Sequence, residues 1–243
     1  MNPDDFSLNG CTRSLRKLAG LAVLAAAAAA PLSGWATIVG GNVSSISPAG
    51  ASAFVKLGVP LNNLGFSANC AANSVGADCF QSLNLFGFDE SQNVSVIGSA
   101  LQVSDIGGGM AGSLAVGTTV ASHYIFFDPG NSATIRGTVD FDATILALIY
   151  VTAELSASDY LANTGVNYLN PALRGLEPGD SVTFSGSQVS FNTSASSPGD
   201  YVRVLTAFSP GALPEPASLA LVGLALLGMA GLRRRAGASA LRR

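Results

Sequence analysis

The residues with the chemistry to act on a ligand are few in this chain. Asp140 and Asp142 flank Phe141, so on an extended strand their carboxylates fall on one face about 7 Å apart. Asp128 is the third carboxylate that could join them around a calcium ion, which takes oxygen ligands. The segment lacks the glycine-punctuated run of alternating oxygen ligands of an EF-hand loop, so the favoured reading is a solvated strand face with Phe141 turned inward, and no metal is assigned. His123 is the single histidine, in Ser122-His123-Tyr124. A serine triad would need that one imidazole to meet Ser and Asp partners in space, and no Gly-x-Ser-x-Gly elbow supports it, so a structural or surface histidine is expected. Paired carboxylates for glycoside hydrolysis are chemically possible, but nothing in the sequence selects a pair. Phosphate-loop and dinucleotide fingerprints are both absent, and no cofactor is expected.

The remaining reactive pair is Cys70 and Cys79, with eight residues between them in a stretch rich in Asn, Ser, Ala and Gly. Two cysteines are too few ligands for zinc, and the spacing is not that of a Cys-x-x-Cys redox motif. A disulfide closing a small loop is expected, which requires an oxidising compartment.

The elements that must hold these residues read as strands. Short runs rich in Val, Ile, Thr, Tyr and Phe are broken by Gly, Pro, Asn, Asp and Ser, the pattern of an all-β sandwich. Strands are expected at 52–57, 94–103, 118–127, 133–140, 145–152, 181–184, 188–191 and 201–207, with one helical turn at 156–161 and a loop at Gly107-Gly108-Gly109. Asp128-Pro129-Gly130-Asn131, Glu177-Pro178-Gly179-Asp180 and Ser197-Pro198-Gly199-Asp200 read as reversals, since proline presets φ and glycine tolerates positive φ. The expected architecture is a single antiparallel β-sandwich, jelly-roll-like, between an N-terminal signal helix and a C-terminal transmembrane helix.

Both chain ends carry address information. Arg13, Arg16 and Lys17 precede the apolar run 18–30, and Gly34 and Ala36 supply small residues at the −3 and −1 positions, so residues 1–36 read as a signal peptide cut by signal peptidase after Ala36. At the other end, residues 213–243 begin Leu213-Pro214-Glu215-Pro216 and continue into the uncharged run 217–232. As a helix that run extends roughly 24 Å, a marginal span for a hydrocarbon core of about 30 Å. Arg233, Arg234 and Arg235 open the basic tail 233–243 and favour a cytoplasmic end. The prolines around Glu215 bias the peptide to extended geometry that a processing enzyme can grip.

Pro214-Glu215-Pro216, the short apolar helix and the arginine cluster together resemble the PEP-CTERM sorting signal of Gram-negative bacteria. The resemblance implies recognition and cleavage by the membrane-embedded enzyme exosortase, transient anchoring in the inner membrane, and export in bacteria that make extracellular polysaccharide. The same tail is also described as the C-terminal domain of ice-binding proteins, a label for the signal and not for ice binding. The segments 123–129, 137–142, 158–161, 174–177 and 196–203 are similar to a domain found attached to this kind of signal, for which the resemblance implies a β-rich exported domain and no known activity.

Between the two signals, residues 37–212 hold four basic residues, Lys56, Arg136, Arg174 and Arg203, against twelve acidic ones, a net charge of −8. That balance excludes nucleic acid as a partner of the domain, because phosphate binding needs clustered cations. The expected function is a non-catalytic exported protein of the cell surface or extracellular matrix, with exopolysaccharide as a contact through its tyrosines (124, 150, 160, 168 and 201); Trp35 departs with the signal peptide. A secreted polysaccharide-acting hydrolase is the alternative, which would bring two carboxylates into a cleft and raise one pKa. An ice-binding protein ranks below both, because no Thr-x-Thr ladder of useful length occurs. Asp159, Arg174, Glu177, Asp180, Asp200 and Arg203, all beside turns, are expected to form structural ion pairs across loops.

Overall fold

The computed structural model describes residues 36–61 and 70–208. The fourteen strands there are β1 (Ile38–Ser47), β2 (Phe54–Lys56), β3 (Ser74–Val75), β4 (Leu85–Asp89), β5 (Val94–Ser95), β6 (Leu101–Val103), β7 (Gly112–Leu114), β8 (Thr119–Phe127), β9 (Ala133–Phe141), β10 (Ile145–Ile149), β11 (Asn167–Tyr168), β12 (Ser181–Ser185), β13 (Gln188–Ala195) and β14 (Asp200–Ala207). Among the described residues helix is confined to α1 (Thr152–Ala157) and two 3-10 turns, Asp159–Leu161 and Pro171–Leu173. The protein is all-β, as expected.

Two sheets face each other. One has the order β1-β9-β13-β12 and the other β10-β14-β8-β4-β2, with β5 paired to β8. Residues of both share one core, in which Ile38, Ile135, Val139, Val189 and Phe191 of the first sheet meet Leu85, Ile125, Phe127, Val202 and Val204 of the second. The four-stranded sheet is buried on that side alone, so β13 alternates strictly between exposed and buried positions.

The second sheet is covered on its other face too. Phe86, Phe88, Tyr124, Phe126, Tyr201 and Leu205 point away from the first sheet into a separate core with Leu61, Val75, Phe80, Val103, Leu155 and Leu161, contributed by loops, the β6–β7 hairpin and α1. Burial on both faces explains why β8 and β14 carry almost no exposed position. Phe80, Phe86 and Phe126 pack with ring centroids 4.8–5.3 Å apart, and Tyr201 stacks on both Phe126 and Tyr124.

The single antiparallel sandwich is therefore corrected in two respects. The six-stranded sheet is a middle layer, and two strand pairs are parallel: β2 with β4, and β11 with β3. Parallel pairing of β2 and β4 is possible because residues 57–84 between them are long enough for a crossover. Within that crossover Cys70 and Cys79 form a disulfide, with Cα atoms 5.4 Å apart, well within the range such a bridge requires.

The expected strand 94–103 is two strands, β5 and β6, separated by a turn at Gly98, whose φ is +79°. The strand expected to run to Thr152 ends at Ile149, and the chain enters α1 instead. β1 and β4 were not expected, and in both a glycine hides the pattern. A Cβ on Gly41 would sit 2.5 Å from Cγ of Phe54, and one on Gly87 would sit 2.6 Å from Cδ1 of Ile125, so both glycines permit close packing inside a strand.

Among the described residues no helix is long and apolar enough to cross a membrane. The expected transmembrane segment 217–232, the basic tail, Pro214, Glu215, Pro216 and Arg233 to Arg235 lie outside the described residues, as does the signal helix.

Candidate functional site

Two adjacent acids at the end of β4 organise the buried polar groups. Successive strand residues point to opposite faces, so Asp89 enters the inter-sheet side and Glu90 the side covered by α1. Each gathers its own network.

Around Asp89, His123 Nδ1 lies 2.7 Å from Oδ1, and His123 Nε2 lies 3.0 Å from Thr206 Oγ1. This has the connectivity of a carboxylate, imidazole and hydroxyl relay. However, His123 and Thr206 are both 0% exposed, and the imidazole packs against Phe141 with centroids 5.0 Å apart. No substrate atom can reach the hydroxyl, so the relay is structural, in line with the expectation for His123. Lys56 Nζ lies 2.8 Å from Asp89 Oδ2, and Thr37 Oγ1 donates to the same oxygen at 2.6 Å. Burial acts to raise the Asp89 carboxyl, but hydrogen bonds from His123, Lys56 and Thr37 outweigh it and hold the group well below the usual carboxylate range.

Glu90 receives Arg203 in a bidentate pair, Nε to Oε2 at 2.8 Å and Nη2 to Oε1 at 3.1 Å. Tyr168 Oη donates to Oε1 at 2.6 Å and Ser122 Oγ to Oε2 at 2.6 Å. Arg203 also donates to Ser158 Oγ at 2.6 Å and the Leu155 carbonyl at 3.0 Å, and its guanidinium lies 5.4 Å from the Tyr124 ring centroid. Burial opposes the charge of Arg203, yet Glu90 and the neighbouring groups more than restore it and raise the guanidinium further. Asp159 bridges Arg203 at 3.2 Å and takes a bidentate pair from Arg174 at 3.0 and 2.6 Å. The expected ion pairs across loops are thus found for Asp159, Arg174 and Arg203. Glu90, the second partner of Arg203, was not foreseen; its only sequence signal is an acidic pair closing an apolar run.

The other expected site residues are dispersed. Asp128 sits at the start of the β8–β9 turn, and its Oδ2 accepts from the Phe80 amide at 3.0 Å. Asp140 lies near the far end of β9, seven residues beyond Ala133 and so roughly 23 Å along the strand, where Gln188 Nε2 donates to it at 2.6 Å. Asp142 accepts from the Thr37 amide at 2.7 Å. Asp128 does not meet the other two, because β9 carries them to the opposite end of the sandwich. Among the described residues no three His, Cys, Asp or Glu side chains converge as metal ligands. Burial pushes Asp128 up to about 7, the Phe80 amide opposing and the Asp78 charge assisting. Asp200 is likewise pushed up to about 7 by burial and by the charge of Asp180.

Two surface features remain. The outer face of the four-stranded sheet is almost wholly polar. Thr183, Ser190, Thr138 and Asn42 are cross-strand neighbours in one row, Ser181, Asn192 and Arg136 stand in the next, and Ser194 meets Thr134 with hydroxyls 2.7 Å apart. At the β12 edge of this face opens a cleft of about 350 Å³, lined by Tyr150, Glu177, Asp180, Ser181 and Thr183 among others. Of the tyrosines available for a sugar contact, Tyr124 and Tyr201 are buried in the second core, whereas Tyr150 and Tyr160 reach solvent. Asp180 accepts from the Ser194 and Glu177 amides at 2.7 and 3.1 Å, and Asp200 does not line the cleft.

A family model described as the PEP-CTERM protein-sorting motif matches residues 212–235. No curated protein and no solved structure matches the chain. An acidic, disulfide-closed β domain followed by this motif defines an exported protein processed at the membrane. The chain carries a PEP-CTERM signal, which makes it a sorting-signal protein with exosortase as its processing partner.

Proposed function

We propose that the protein is a non-catalytic component of the cell surface or extracellular matrix that contacts exopolysaccharide through the polar face of its four-stranded sheet and the adjoining Tyr150 cleft. Signal peptidase removes residues 1–36, the C-terminal segment holds the precursor in the inner membrane, and exosortase clips it near Pro214–Pro216. The observation that carries this reading is the sorting motif at 212–235 placed behind an all-β domain.

The hydroxyl and amide rows of β1, β9, β12 and β13 support a polysaccharide contact, since they offer donors and acceptors at the spacing of neighbouring strands, about 4.8 Å. Tyr150 adds a ring at the edge. Support for a non-catalytic role over a hydrolase comes from the acids: Asp180 is committed to two backbone amides, and Asp200, whose carboxyl is raised, is buried and does not line the cleft. Processed protein from the native host should sediment with the polymer it secretes, and Ser190→Lys with Tyr150→Ala should release it. Equal sedimentation of wild type and variant would overturn the assignment of the surface, and turnover of the polymer would overturn the non-catalytic reading.

A further inference from the structure

Thr37 is held more tightly than an ordinary strand entry. Its amide donates to Asp142 Oδ1 at 2.7 Å, and the Asp142 amide donates back to the Thr37 carbonyl at 3.1 Å. Its hydroxyl donates to Asp89 Oδ2 at 2.6 Å and accepts from Lys56 Nζ, which also donates to the Ile38 carbonyl at 2.7 Å. The next amide, that of Ile38, donates to Asp89 Oδ1 at 3.0 Å. Three elements converge on one residue: the ends of β4 and β9, and β2.

Two carboxylates face Thr37. Asp89 already has Lys56 and His123 against it, whereas Asp142 accepts from the Thr37 amide and forms no ion pair among the described residues. Residue 37 is also where processing is expected to cut. Ile38 belongs to the inter-sheet core, and Ala36, itself 1% exposed, packs outside both core clusters. Cleavage between Ala36 and Thr37 turns the Thr37 amide into an α-ammonium, so that Asp142 gains a positively charged donor in place of a neutral one and the contact becomes an ion pair.

We infer that Asp142, with Asp89 and Lys56 behind it, forms the receptor for the α-ammonium that signal-peptide removal creates at Thr37, so that maturation locks β1 into the sandwich. This rests on the export reading above. It gives Asp142 a role that neither a metal site nor a solvated strand face supplies.

The test is the reactivity of that amine in processed protein purified from the native host. A free α-amine titrates at about 7.7–8.0. Paired with Asp142 it titrates higher, so acetylation of Thr37 at pH 8, read by peptide mass spectrometry, should be roughly five- to tenfold slower in folded protein than in urea. Asp142→Asn should recover most of that rate. Equal labelling in folded and urea-unfolded wild type overturns the inference alone and needs no variant. A mature N-terminus at another residue overturns it through the cut, and an unprocessed chain overturns the export reading as well.

Discussion

Replacing Arg203 with methionine removes the cation on which the covered face of the six-stranded sheet is organised. The guanidinium is 0% exposed and bonds Glu90 twice, Ser158, the Leu155 carbonyl and Asp159. Methionine fills similar volume, so the cavity contribution is small, and the dominant effect is a buried Glu90 left with only Tyr168 and Ser122 as donors. Breaking one partner of a buried pair costs about 3–5 kcal/mol. At about 2–4 °C per kcal/mol for a domain of this size, a loss of about 4 kcal/mol lowers Tm by about 8–16 °C. Glu90→Gln in the same chain removes the stranded charge, so the double variant should be more stable than the sum of the single losses by at least about 1 kcal/mol. Urea titration of the four processed proteins, followed by tryptophan-free far-UV circular dichroism, measures the cycle. An Arg203→Met loss below about 1 kcal/mol, or strict additivity, would show that the pair does not organise this face.

The elevated carboxyls give a pH dependence of definite sign. Asp128 and Asp200 have folded values near 7 against an ordinary 3.8, so folding takes up protons between about pH 4 and 7. Stability falls as pH rises through that window and levels off above it, by at most on the order of 1.4 kcal/mol per pH unit for each group; Asp128→Asn and Asp200→Asn should each flatten the slope of urea midpoints between pH 4.5 and 7.5. Asp89 works in the opposite sense: its contribution is complete above its ordinary value and is lost as pH falls below it, so Asp89→Asn should be most damaging near neutrality and least so below pH 3. Changing Cys70 and Cys79 to serine opens the loop that carries Phe80 to Asp128, with an expected loss of about 2–4 kcal/mol in urea titration and no effect on export. Gly41→Ala forces Cβ against Phe54 and should lower Tm by several degrees, where Gly58, with open space around its Cβ position and no positive φ, tolerates the same change.

Legibility followed exposure. β13 and β9, with one face in water, were readable because polar and apolar residues alternate, and β8 because its apolar run is continuous. β1 and β4 were not, since Gly41 and Gly87 are selected by contacts from Phe54 and Ile125 that belong to other strands. The same distinction divides the site. Arg174, Asp159 and Arg203 stand beside turns and could be expected to pair, whereas Glu90 becomes a partner of Arg203 only once β4 lies next to β8 and β8 next to β14. Asp128, Asp140 and Asp142 are close in sequence, but β9 separates the first from the other two along its length. Tyr124 and Tyr201 were counted among the tyrosines available for a sugar contact, but they lie on the face of the six-stranded sheet that α1 and loops cover.

The intact mass of the protein recovered from its native host bears most directly on the account of a sorted, twice-processed surface protein. A species beginning at Thr37 and lacking the arginine-bearing end of the sorting motif at 212–235 is predicted. A secreted protein that retains Arg233–Arg235, or one whose mass is unchanged when the host's exosortase is deleted, would contradict it.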